Sequence, residues 1–459
     1  MFNDTIVAPA TGNVGNAISI IRISGENAIA ICNSVFSVNL DNALDRTVVY
    51  GKIKDKNGDI LDDSLAVKYI SPKSYTGEDV VEFFCHGGRF VSECIIRELV
   101  SNGARVAEKG EFTKRAFLNG KLDLSQAEAI IDTINAQTKN SLLMAQKNLD
   151  GKLRNKVELI RAEIISIIME IMAGNDFPDE HQSDTSLDFS SHTKAIIEKI
   201  NLLALEVAKL LESYNAGKII KDGITCAIWG SPNVGKSSLL NALLNEDRAI
   251  VTELAGTTRD VITERLDIGG YILNIADTAG IRESDDVIEQ AGIEKTHYYI
   301  QNVDFSINII DLTDPNIESL EKMPQAIKDN TILVLNKIDV ADEPISIKNL
   351  AGKYKYCFRI SAKEKIGINE LIDGIKSYIE ERVQIEDNES IIFSERHFNS
   401  LTDAYNGLYA AKNALLNHFE PDIASIDLET AASAMGEITG VTVNDEVIDS
   451  IFKNFCIGK

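Results

Sequence analysis

The chain has 459 residues, enough for several domains that each bury a core. Its 44% hydrophobic and 25% charged content is ordinary for a folded globular protein, which excludes a disordered class. With 46 Lys and Arg against 70 Asp and Glu the net charge is −24, which excludes indiscriminate binding to nucleic acid, since that depends on neutralising phosphates.

The charge is uneven. Residues 1–121 hold 14 Lys and Arg against 15 Asp and Glu, so a polyanion would meet this segment first, around "EKGEFTKRAFLNGK". The start of the chain lacks the basic, apolar and small-residue succession of a signal peptide, and no run of 18 apolar residues occurs; a cytoplasmic protein with no membrane partner is expected. Cysteines 32, 85, 94, 226, 357 and 456 form no CxxC pair, which argues against a disulfide framework or a zinc knuckle.

In chain order, residues 1–121 mix β-like runs ("NAISIIRI", "SLAVKYI", "DVVEFF") with a helical stretch at about 90–102 and predict an α+β domain. From "LDLSQAEAII" the texture is helical, and Ser125 to Glu128 has capping-box spacing. Leu149, Leu153, Val157, Ile160, Ile164, Ile167 and Ile171 make one face of a long amphipathic helix. A second helical pattern runs through "HTKAIIEKINLLALEVAKLLESY". Near "NAGKIIKDG" the pattern switches to apolar β runs between helices, "ITCAIWG", "YILNIADT", "FSINIIDL", "TILVLNKID" and "KYCFRISA", which predict buried parallel strands of a doubly wound α/β domain. Helical texture returns after about residue 384. The expected domains are therefore 1–121, a helical domain in two halves at 122–218 and 384–459, and an α/β domain at 219–383 inserted between those halves.

"GSPNVGKSS" (230–238) fits GxxxxGK[ST] between a strand and a helix. Backbone N–H groups of such a loop close on phosphates, with Asn233, Val234, Gly235, Lys236, Ser237 and Ser238 as contacts; Lys236 reaches the β and γ oxygens and Ser237 ligates Mg²⁺. Alone this loop fits ATP or GTP. "DTAG" (Asp277, Thr278, Ala279, Gly280) follows the next plausible strand. In "NKID", Asn336, Lys337 and Asp339 close another strand, and Asp339 can accept from guanine N1–H and the 2-amino group, which adenine does not offer. "SAK" (Ser361, Ala362, Lys363) is expected to complete the base site through backbone N–H groups. Together the four pieces specify GTP. Ile281 stands where Ras-like enzymes have a water-orienting glutamine, so the water must be oriented by another group. "TELAGTTRD" (252–260) supplies a loop of carbonyls and threonines, Thr252, Glu253, Leu254, Ala255, Gly256, Thr257 and Thr258, with Thr258 placed for Mg²⁺.

Along essentially its whole length the chain resembles the tRNA modification GTPase MnmE (TrmE) family. The resemblance is carried by "DTIVAPAT", "IIRISG", "SYTGEDVVEFFCHGG", "GEFTKRAFLNGKLDLSQAEAI", "DFPDE", the P-loop, "AIVTELAGTTRDV", "DTAGIRE", "RH" at 396–397 and the terminal "FCIGK". It implies a tetrahydrofolate-binding-like α+β N-terminal domain that dimerises, an all-α helical domain in two halves and an inserted Ras-like P-loop G domain. It also implies a potassium-dependent GTPase that works as a homodimer. Asn233 and the carbonyls of Thr252, Leu254 and Thr257 would hold K⁺, Arg259 and Asp260 complete the switch motif, and Glu289 is the catalytic glutamate that positions water. A 5-formyl-tetrahydrofolate or related folate would bind Arg22, Glu82, Lys121 and Lys459, with Cys456 near the transferred carbon. An FAD-dependent MnmG-like partner, forming a heterotetramer, and tRNA complete the expected assembly, which modifies carbon 5 of the wobble uridine. The chain departs from the family pattern at "GNVGNA", at Lys109 and at Asn175.

Two rival readings remain at this level. A ribosome-assembly GTPase would share the Ile281 departure and be expected to carry a basic RNA-binding module. A prenylated membrane switch would use Cys456, but the chain ends in Lys459 and no polybasic signal precedes it.

Overall fold

The computed structural model describes residues 4–12, 16–176, 186–244, 262–276, 303–314, 325–342, 344–383, 391–417, 419 and 421–459. The chain divides into two compact units. One comprises Met1–Ile131, Asn148–Leu203 and Asp403–Lys459; the other comprises Asp132–Lys147 and Ala204–Thr402.

In the first unit, β1 (Thr5–Pro9), β2 (Ile18–Ser24), β3 (Val48–Lys54), β4 (Ile60–Tyr69), β5 (Val80–His86) and β6 (Ala104–Val106) form a sheet in the order β3-β4-β5-β2-β1-β6. Its pairs are antiparallel except β1 with β6. Helices α1 (Ala28–Val35) and α2 (Arg89–Ser101) supply Ile31, Ile95 and Leu99 to a cluster with Ile21, Ile23, Ala66, Val81 and Phe83 of the strands. β1 is buried on both faces: Val7 joins that cluster, whereas Ile6 and Ala8 meet Phe112 of α3 (Glu111–Leu118). Arg115 of α3 is fully buried, a position a cation tolerates only with paired anions. Asp4, Glu78 and Glu111 supply them at 2.7, 3.1 and 3.0 Å. This network ties β1 and the segment before β5 to α3.

Helices α4 (Leu124–Asn135), α5 (Lys139–Leu149), α6 (Lys152–Asp176) and α7 (Ser186–Asp222) follow. The predicted apolar face is buried at Leu153, Val157, Ile160, Ile164, Ile167 and Ile171. Leu149, however, closes α5; Gly151, at φ 82°, turns the chain between the two helices. The start of α4 also differs from expectation. Ser125 lies inside the first turn, and the reciprocal cap is two residues earlier: Gln126 N–H donates to Asp123 Oδ1 at 3.0 Å and Asp123 N–H to Gln126 Oε1 at 3.1 Å. Finally, α7 runs through "NAGKIIK" to Asp222, and Gly223 at φ 86° ends it, its N–H donating to Ile219 C=O at 3.0 Å.

In the second unit, β7 (Ile224–Trp229), β8 (Ile262–Ile268), β9 (Tyr271–Ala276), β10 (Phe305–Asp311), β11 (Thr331–Asn336) and β12 (Tyr356–Arg359) pair in the order β12-β11-β10-β7-β9-β8. Helices α8 (Lys236–Leu244), α9 (Gln325–Asp329), α10 (Ile345–Ala351) and α11 (Ile368–Glu380) accompany them. The five strands expected from apolar runs are parallel, and β8 adds an antiparallel edge to β9. Gly269 and Gly270, at φ 62° and 94°, make the two-residue turn that forces this hairpin. Alternate residues of β10 and β11 enter opposite clusters, Ile307, Ile309, Ile332 and Val334 on one side and Ile310, Leu333 and Leu335 on the other. That two-sided burial is why these strands read as continuous apolar runs. The remaining α-helices among the described residues are α12 (Glu395–Leu416), α13 (Pro421–Thr439) and α14 (Asp445–Phe452). Within the first unit α13 lies along α6, where Thr439 donates to Glu158 Oε1 at 2.7 Å.

The cap assignment is testable. Asp123→Ala should cost about 1 kcal/mol of stability and Ser125→Ala clearly less, read from urea midpoints; an equal or larger loss for Ser125→Ala contradicts it.

Candidate functional site

Because β7, β9, β10, β11 and β12 are parallel, their following loops lie along one edge of the sheet, where α/β proteins bind ligands. The P-loop leaves β7 at this edge and enters α8 at Lys236. Its turn uses three residues with positive φ, Gly230 (152°), Asn233 (61°) and Gly235 (103°). A Cβ at Gly230 would stand 2.4 Å from Ile309 C=O, and one at Gly235 2.3 Å from Asn336 Nδ2. Both glycines are thus required by close approach as well as by conformation. Lys236 Nζ donates to the carbonyls of Gly230 and Ser231, each at 2.8 Å, folding its ammonium back across the loop. Val234 is buried; Asn233, Ser237 and Ser238 are exposed.

Asn336, 3% exposed at the end of β11, joins the pieces. Its Nδ2 donates to Val234 C=O at 2.7 Å, and its Oδ1 accepts from Ala362 N–H at 3.0 Å. One carboxamide therefore fixes the P-loop against the "SAK" segment. The N–H groups of Ser361 and Ala362, expected to face the base, both donate within the chain, Ser361 to Ile366 C=O at 3.0 Å. Asp339 and Lys363 are exposed.

Asp311 was not among the residues singled out from sequence. At the end of β10 it pairs with Lys337, which has φ 70°, and accepts from Thr313 N–H at 2.9 Å and Thr313 Oγ1 at 2.6 Å. Burial alone would raise the Asp311 carboxyl, but Lys337 and Thr313 outweigh it and hold the group below its ordinary value of 3.8. The signal for it, an acid closing an apolar strand, is also that of an ordinary turn. Thr252, Glu253, Leu254, Ala255, Gly256, Thr257, Thr258, Arg259, Asp260, Asp277, Thr278, Ala279, Gly280, Ile281 and Glu289 lie outside the described residues.

A second group of predicted residues sits in the first unit. Arg22 and Glu82 face each other across β2 and β5, with Arg22 Nε 2.7 Å from Glu82 Oε1. The "FCIGK" tail reaches them: Arg22 Nη1 is 3.4 Å from Gly458 C=O. Ile457 bridges Lys109, Gly110 N–H donates to Cys456 C=O at 3.3 Å, and Phe455 is buried beside Phe452 and Leu124. Cys456 is exposed. Lys121 Nζ donates to Pro72 C=O at 3.0 Å, and its stem lies over Gly77. The fold brings together Arg22, Glu82 and the backbone of the tail; among the described residues neither the Lys121 nor the Lys459 ammonium contacts that pair. Sequence reading missed Tyr69, Tyr75 and Phe112, which surround Arg22 and Glu82. Among the described residues no helix is long and apolar enough to cross a membrane.

Comparison with known proteins spans the chain. The family described as GTP-binding protein TrmE N-terminus matches residues 5–121, and that described as MnmE helical domain matches residues 124–456. A protein of Carboxydothermus hydrogenoformans named tRNA modification GTPase MnmE is 42% identical, covering 100% of both chains. Its namesake in Acetivibrio thermocellus is 40% identical over 99% of each chain. That of Clostridioides difficile is 40% identical over 100% of this chain and 99% of its own.

The Asp311 pair predicts a pH dependence. A carboxyl that titrates lower when folded stabilises the fold above its ordinary value of 3.8, and that contribution is lost as pH falls through the lowered value. Asp311→Asn should therefore lower the urea midpoint at pH 7, and its deficit relative to wild type should shrink on acidification below about pH 3.8. A deficit that stays constant would contradict the pairing.

Proposed function

The chain belongs to the MnmE (TrmE) family of tRNA modification GTPases, and from that premise we propose that it hydrolyses GTP in the service of tRNA modification. The observation that carries the proposal is the Asn336 junction, which holds the P-loop, the "NKID" segment and the "SAK" segment together at one sheet edge. Lys236 and the loop N–H groups bind the phosphates. Asp339 selects guanine by accepting from two donors that adenine lacks. Ser237 offers a hydroxyl oxygen at the start of α8, the hard ligand Mg²⁺ prefers, with Thr258 as its second protein ligand. Asn233 stands exposed on a left-handed turn of the P-loop, a fit for a monovalent cation shared with the carbonyls of Thr252, Leu254 and Thr257. K⁺ there supplies positive charge in place of an arginine finger. Glu289 takes the water-orienting role that Ile281 cannot fill.

In the proposed assembly the chain acts in the cytoplasm as a homodimer, with a folate-binding and dimerising domain at 1–121, helical halves at 122–218 and 384–459, and a G domain at 219–383. Together with an FAD-dependent MnmG-like protein it adds an aminomethyl-type group at carbon 5 of the wobble uridine. Folate supplies the one-carbon unit. The paired Arg22 and Glu82 suit that ligand, a cation for its carboxylates or formyl oxygen and a carboxylate for the pterin N–H donors. Lys121 and Lys459 add cations, and Cys456 is exposed on the tail.

GTP turnover should be much faster in KCl than in NaCl at equal ionic strength. Glu289→Ala should lower it on the order of 10²-fold or more with GTP binding retained. Equal rates in the two salts remove the potassium role. In a strain lacking the gene, tRNA nucleoside analysis should show loss of the wobble uridine modification; an unchanged profile would sink the tRNA assignment.

A further inference from the structure

Arg22 is enclosed on four sides. Glu82 takes its Nε at 2.7 Å, and Glu82 Oε2 in turn lies 3.4 Å from the Tyr69 hydroxyl. The guanidinium carbon is 5.2 Å from the Tyr75 ring centroid and 5.7 Å from that of Phe112, within cation–π range of both. Gly458 C=O stands 3.4 Å from Nη1. Among the described residues Nη2 has no partner, so it is the edge of the guanidinium left for a ligand.

The enclosing groups are themselves fixed. The Tyr75 hydroxyl is 2.8 Å from Thr113 Oγ1, and Thr113 is fully buried on α3. Gly458 has φ 95°, and a Cβ there would stand 2.0 Å from Pro9 C=O. Only glycine lets the tail lie this close to the end of β1. Gly110, at φ 68°, admits the tail in the same way: a Cβ would come within 2.7 Å of Phe452 C=O and 2.9 Å of the Phe455 side chain. Two glycines thus set the register in which the Gly458 carbonyl meets Arg22.

Resting on the folate reading of this site, we propose that Tyr75 and Gly458 are its positioning residues, Tyr75 fixing the plane and Gly458 the edge in which Arg22 presents Nη2 to a carboxylate or formyl oxygen of the folate. An arginine side chain otherwise loses much rotamer freedom when it binds, and holding it beforehand lowers that cost. The tail then acts on the ligand through Arg22 as well as through Lys459.

The test is calorimetric binding of 5-formyl-tetrahydrofolate to the full chain and its variants, with GTP turnover as the control for folding. Tyr75→Leu and Gly458→Ala should each weaken binding about tenfold, whereas Tyr75→Phe, which keeps the ring, should stay within about twofold. Leucine fills the apolar space but has no π face, so equal binding by Tyr75→Leu overturns the stacking role. In an Arg22→Lys background, Tyr75→Leu should have little further effect; a full additional loss would mean that Tyr75 acts independently of Arg22 and overturns the proposal. If Tyr75→Leu also loses GTP turnover, Gly458→Ala and Tyr75→Phe decide: wild-type affinity in Gly458→Ala, or a tenfold loss in Tyr75→Phe, overturns it. Failure of the wild-type chain to bind the folate removes the folate reading instead.

Discussion

The nucleotide site depends on one buried carboxamide. Three segments distant in sequence, the P-loop, the end of β11 and the "SAK" turn, meet at Asn336, which donates to one and accepts from another. A side chain that is donor only or acceptor only would keep one of the two contacts and lose the other, and one lacking both would leave a buried carbonyl and a buried N–H unpaired. Gly235 follows from the same constraint, since Asn336 occupies the space its Cβ would need. The Lys337–Asp311 pair then anchors the neighbouring turn to β10. The P-loop and the segments expected to recognise the base are in this way mechanically joined.

The first unit repeats the device with different chemistry. Gly458 and Gly110 permit close backbone approach, and the tail they admit brings a carbonyl to Arg22. The tail is therefore held into the fold by Phe455 and the Lys109–Ile457 bridge. This arrangement gives "FCIGK" a structural role that a lipid anchor would not need.

The parts legible in sequence were those whose physics is local or periodic. The P-loop announces itself because phosphate binding needs glycines and a lysine at fixed spacing beside a helix start. β10 and β11 were legible because both faces are buried. β3 and β8 were not: each is an edge strand of mixed polarity, "VVYGKIK" and "ITERLDI", without a continuous apolar run. The α4 cap was misplaced because the sequence holds two matching patterns, and burial of Leu124 at the helix start selects the earlier one. Asp311 and Tyr75 escaped notice for a further reason: their partners, Lys337 and Arg22, lie 26 and 53 positions away, and no spacing rule spans such distances.

The most direct measurement is nucleotide selectivity. Displacement of a fluorescent GTP analogue should require at least about 10²-fold more ATP than GTP, since a bound adenine would cover the Asp339 carboxylate without offering it a donor, and an acceptor taken out of water and left unpaired costs a few kcal/mol. Asp339→Asn should lose GTP and gain affinity for xanthosine triphosphate, whose C2 carbonyl can accept from the new amide. Equal displacement by ATP and GTP, or an Asp339→Asn protein with unchanged preference, would contradict the account.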